Sequence, residues 1–130
     1  MSSLTKYYAY GPKATLKRMA PKLLDALDPK YLYTYQSENG DDIHVALFEQ
    51  YEKQINATIS LLCVIESGSK RNRIELKKSG GRMGFRGSSL SEEKKIESDV
   101  VDFVMDYCKR FGLSLQEEVE QEDENAEENS

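Results

Sequence analysis

The chain has 130 residues and a mass of 14.9 kDa, enough for one hydrophobic core and too little for two. It is 38% hydrophobic and 32% charged with a formal net charge of -5, and it holds no apolar run near the ~18 residues that would read as a membrane-spanning helix. The opening MSSLTKYYAYG has no apolar centre of the signal-peptide kind, so the expectation is a soluble cytoplasmic protein with no membrane partner.

Leu4 to Tyr10 (LTKYYAY) is aromatic and β-prone, and Gly11-Pro12 ends it at the first turn of a helix. In the following stretch Leu16, Met19, Ala20, Leu23, Leu24 and Leu27 recur at steps of three and four, one face of a helix. Pro21 removes a backbone donor inside it, and a kink or a split is expected there. Tyr31 to Gln36 and Ile43 to Tyr51 flank SENGDD, whose Asn-Gly pair suits a hairpin turn. Ile55 to Glu66 alternates as a strand, but its second half is apolar on both faces. Leu62 and Val64 on the outer face therefore call for a cover, and a second subunit is one candidate. Arg73 to Lys78 reads as a strand with Ile74 and Leu76 inward and Arg73, Glu75 and Lys77 outward, and Met83 to Phe85 can add a short one. The last helix starts at Ser89 or Ser91, carries Ile96, Val100, Phe103, Val104, Tyr107 and Phe111 as a stripe, and stops at Gly112. This order predicts an α+β two-layer sandwich: a mainly antiparallel sheet of five or six strands with two helices on one face.

Charge is unevenly placed. Residues 70 to 87 hold seven bases (Lys70, Arg71, Arg73, Lys77, Lys78, Arg82 and Arg86) against Glu75 alone, a net +6. Residues 114 to 130 hold eight acids and no base. Such a block repels itself and has little to bury, so the expected organisation is one domain over 1-115 and a disordered acidic tail over 116-130.

SGGRMGFRGSS, Ser79 to Ser89, sets Gly81, Gly84 and Gly87 beside Arg82 and Arg86, with Ser88 leading into the last helix. Free backbone amides, a helix start and two guanidinium groups suit a phosphate or sulfate. The same glycines also suit a plain turn, and neither a GxxxxGK[ST] nor a GxGxxG pattern is present. With Arg71, Arg73, Lys77 and Lys78, these residues form the candidate anion site. Tyr31, Tyr33 and Tyr35 share one strand face and are expected toward the helices, as core or as the wall of a ligand cavity, with a base-stacking platform as the alternative. His44 is the sole histidine, and Cys63 and Cys108 lack disulfide or metal spacing, so no catalytic residue, metal or cofactor is expected.

The resulting expectation is a non-enzymatic binding or adaptor domain that meets nucleic acid or an acidic protein segment through the basic strand and the Gly/Arg loop, with the acidic tail as an internal competitor. A small apolar-ligand carrier with a tyrosine-lined cavity, and a homodimer joined through Leu62 and Val64, are the other two readings.

Overall fold

The computed structural model describes residues 4-53, 56-80 and 88-120. In chain order the elements are β1 (Leu4–Tyr10), α1 (Lys13–Leu27), β2 (Tyr31–Gln36), β3 (Asp42–Glu52), β4 (Ala57–Ser67), β5 (Arg71–Gly80), α2 (Ser88–Phe111) and β6 (Ser114–Glu120). The strands form one antiparallel sheet of six in the order β2-β3-β4-β5-β1-β6. Strands β2 to β5 follow one another as hairpins, while β1 returns to lie between β5 and β6.

Two connections are not hairpins, and they explain why both helices share one face. β1 and β2 run in the same direction, as do β5 and β6, so α1 and α2 are crossovers. β5 runs opposite to β1, and its crossover moves across the sheet in the opposite sense. Two reversals cancel, so right-handed connections place both helices on the same side. That side holds the core: Leu16, Met19, Leu23, Ile59, Leu61, Ile65, Ile74, Leu76, Val100 and Val104 are each less than 2% exposed. The expected α+β sandwich is the observed architecture.

Locally, the sequence signals act as expected in most places. Ser37 N–H donates to the Asp41 carbonyl at 2.8 Å and Gly40 takes φ +90°, closing the β2–β3 hairpin on the Asn-Gly pair. Gly112 at φ +72° ends α2. Gly11 is required for another reason, since a Cβ there would overlap Leu113 Cδ2, the side chain that joins the end of α2 to the core.

Two expectations are corrected. Pro21 does not split the first helix, which runs unbroken from Lys13 to Leu27. Pro21 leaves the Lys17 carbonyl without its helical donor, but the helix is held from outside. Tyr107 Oη donates to the Thr15 carbonyl at 2.8 Å and Asn72 Nδ2 to the Leu16 carbonyl at 2.8 Å, while Lys17 Nζ reaches the Ser67 carbonyl at 3.0 Å. The domain also does not end at Leu115. Residues 114 to 120 form β6, paired with β1 from Tyr10↔Ser114 to Leu4↔Glu120. Leu115 packs on the core, and a strand with water beyond it tolerates the outward acids that made the segment read as tail. The remaining expected tail, 121-130, and the short strand at 83-85 lie outside the described residues.

Candidate functional site: the uncovered face of the sheet

Strand pairing assigns every side chain to a face, because residues directly opposite point the same way. The helix face runs through Ala46, Cys63 and Leu76, and through Phe48 and Leu61, all buried. The opposite face has no helix over it. One row across it reads Tyr31, Leu47, Leu62, Lys77, Leu4; the next reads Tyr33, Val45, Val64, Glu75, Lys6, Glu118; the third reads Tyr35, Ile43, Glu66, Arg73, Tyr8, Gln116. Aromatic side chains thus line one edge, aliphatic ones the middle, and charged ones the other side.

This placement corrects the tyrosine expectation. Tyr31, Tyr33 and Tyr35 are 65%, 64% and 46% exposed and line no interior cavity. Leu32 and Thr34, which the sequence offers as too little core for an inward face, do point to the helix side. β2 is the edge strand, and both of its faces stand in solvent. Tyr33 and Tyr35 lie against each other with ring centroids 5.5 Å apart.

Leu62 remains 39% exposed and Val64 half-buried, uncovered by any described residue of the chain. With Val45 and Leu47 they make an aliphatic strip between the tyrosines and the bases. The tyrosine row and β5 are three strand spacings apart, roughly 14 Å, so they belong to different parts of one surface rather than to one pocket.

The basic strand is less cationic than its composition suggests. Lys78 points to the helix side and pairs with Glu97 at 3.6 Å, away from the other three. Arg73 is held between Glu66 at 3.2 Å and Glu75 at 3.4 Å. Arg71 lies over the Tyr8 ring, 4.9 Å from its centroid, and Tyr8 Oη donates to Glu118 at 3.2 Å. Lys77 is exposed on the uncovered face. Sequence reasoning placed Arg73 and Lys77 outward correctly but missed the acids of neighbouring strands that the pairing brings beside them.

Bases concentrate instead at one end of that face. Tyr10, Lys70, Arg71 and Arg73 surround an open depression of about 550 Å³ at the β4–β5 turn, with Asp41 and Glu66 on its border. Gly68 makes the tight turn there: it is buried, its N–H donates to the Arg71 carbonyl at 2.9 Å, and an added Cβ would press on that oxygen at 3.2 Å and on Asp41 Oδ1 at 3.3 Å. Lys70 belongs to this site and was not singled out in the sequence; its place beside Arg71 at a strand start was the available signal. Gly81, Arg82, Gly84, Arg86 and Gly87 lie outside the described residues, and Ser88 is the first residue of α2.

The buried titratable groups are placed as core. Burial pushes the Cys63 thiol up to about 12 and raises Cys108 as well. Burial also lowers His44 from its ordinary 6.5, with Asp42 opposing and Lys17 assisting. Its Nδ1 lies 3.3 Å from Thr34 Oγ1. Tyr7 is driven to about 12 by burial and by Glu117 and Glu97. Among the described residues no group of three or more His, Cys, Asp and Glu side chains can hold a metal ion, and no helix is long and apolar enough to cross a membrane.

No protein-family model matches the chain, and no curated protein matches it. Solved structures similar to it include an uncharacterised protein from Bacillus thuringiensis, with 12% identity over 85% of this chain and 98% of that one and a TM-score of 0.40. The protein XoxI from Bacillus cereus is similar at 12% identity, 85% and 94% coverage and a TM-score of 0.40. A conserved protein from Geobacillus kaustophilus is similar at 12% identity, 89% and 99% coverage and a TM-score of 0.36. Likeness this distant transfers no function to the chain.

Proposed function

We propose that the protein is a non-enzymatic adaptor domain that binds an acidic protein segment on the uncovered face of its sheet. The observation that carries this reading is the depression at the β4–β5 turn, where Lys70, Arg71 and Arg73 stand beside an aliphatic strip of Val45, Leu47, Leu62 and Val64. A segment with carboxylates at one end and apolar side chains along its length would satisfy both. Protein interfaces have this composition, an apolar centre with tyrosine and arginine around it. The acids Glu66, Glu75 and Glu118 on the same face disfavour a long polyphosphate track, so nucleic acid is the weaker anionic partner.

The test is fluorescence anisotropy with two probes, a labelled peptide of alternating Glu and Leu and a labelled oligothymidylate. The peptide should bind, with Lys70→Ala plus Arg71→Ala and Leu62→Lys each weakening it at least tenfold. Oligothymidylate binding that survives Leu62→Lys, with no peptide binding, would reassign the partner to nucleic acid. Failure of both probes at low salt would refute an anion-binding face.

A further inference from the structure

The two edges of the sheet are unlike. The β6 edge carries Glu117 and Glu118, and a row of carboxylates discourages another strand from adding there. The β2 edge, YLYTYQ, has no charge, no proline and no glycine, and all six residues are exposed. Nothing among the described residues pairs with it. An unprotected edge of strong β formers is a template for another strand.

The backbone states which groups are free. Ser37 N–H bonds to the Asp41 carbonyl, and the antiparallel ladder alternates from that pair. Tyr35, Tyr33 and Tyr31 therefore turn their N–H and C=O toward β3. Leu32, Thr34 and Gln36 turn theirs to the open edge. These three positions are symmetric about Thr34.

We infer that β2 pairs antiparallel with β2 of a second copy, around a two-fold axis at Thr34, joining two sheets into one. In this register Leu32 pairs with the partner's Gln36 and Thr34 with the partner's Thr34, and every outward N–H and C=O of both strands is satisfied. An axis normal to the sheet keeps the faces of both copies aligned. Tyr33 then stands opposite the partner's Tyr35, and the tyrosine row continues across the junction as cross-strand aromatic pairs. Charge complementarity selects a second copy over an unrelated strand. Continuing the register past the strand ends sets Lys30 beside the partner's Glu38, twice by symmetry, and both residues are exposed. No like charges face each other along the strand. The inference concerns the edge and stands apart from the proposal for the face.

Sedimentation velocity of the full chain over a concentration series tests it. The wild type should run at twice the 14.9 kDa chain mass at high concentration. Thr34→Lys sets two ammonium groups against each other at the axis and should run as a monomer. Since Thr34 also contacts His44, a second pair of variants guards against misfolding. Lys30→Glu should weaken the dimer at least tenfold, and Lys30→Glu with Glu38→Lys should restore it, because both changed side chains are solvent-exposed. A monomeric wild type at all concentrations would overturn the inference. So would a dimer that survives Thr34→Lys but is lost in Leu62→Lys, which would move the contact to the sheet face.

Discussion

Removing the Asn72 carboxamide tests how α1 is held to the sheet. α1 begins with Pro12, which makes no side-chain cap, and has no acid in its first turn, so its own sequence stabilises its start weakly. Asn72 compensates from β5. It is fully buried, donates to the Leu16 carbonyl at 2.8 Å, touches Met19 Sδ at 3.6 Å, and accepts from Ser67 Oγ at 2.9 Å. Asn72→Ala removes two good hydrogen bonds at about 1 to 1.5 kcal/mol each and leaves a small void, so a loss of about 3 kcal/mol is expected. With an unfolding entropy of roughly 2.1 cal/mol/K per residue, this lowers Tm by roughly 10 °C. Asn72→Asp should cost more, because a carboxylate would be buried facing the Leu16 carbonyl. Ser67 has a second acceptor in the Leu16 carbonyl at 3.3 Å, so Ser67→Ala should cost less and its effect should not add to that of Asn72→Ala. Urea titration followed by far-ultraviolet circular dichroism measures all of these. An Asn72→Ala loss under about 1 kcal/mol, or strict additivity with Ser67→Ala, would refute this account of how the helix is anchored.

Four further outcomes are expected. A chain ending at Glu120 should keep the wild-type stability, whereas one ending at Leu115 loses most of the β6 ladder on β1 and should fall by ~2 kcal/mol or more in the same titration. Leu61→Lys should yield no folded protein, while Leu62→Lys, one residue along and on the open face, should stay within about 0.5 kcal/mol of the wild type; equal effects would mean the faces are misassigned. His44 has its folded-state pKa below 6.5, so the unfolded chain takes up the proton first as pH falls. Its share of stability should be complete above pH 6.5 and decline below it, and His44→Asn should flatten that part of a stability-pH profile. Cys63 and Cys108 are buried with raised thiol pKa, so a thiol reagent should label neither faster than the chain opens, and labelling should accelerate with urea.

Much of the fold was legible in the sequence because it depends on local chemistry. The bounds of β1 and β2, the Asn-Gly turn, the helix stop at Gly112 and the alternation of Ile74 and Leu76 with Arg73, Glu75 and Lys77 follow from turn residues and periodicity. Periodicity also placed Leu62 and Val64 on a face needing explanation. It could not say what lies beside a strand. Tyrosine rows look like core until β2 proves to be an edge, and acids look like tail until β6 proves to be another. Seven bases in eighteen residues look like an anion site until pairing brings Glu66 to Arg73 and α2 brings Glu97 to Lys78. Pro21 looks like a break until Tyr107, Asn72 and Lys17 reach α1 from remote parts of the chain. Burial and charge balance are sums over neighbours, and most neighbours in this sheet are distant in sequence. Only the strand order, with β1 returning between β5 and β6, determines which ones they are.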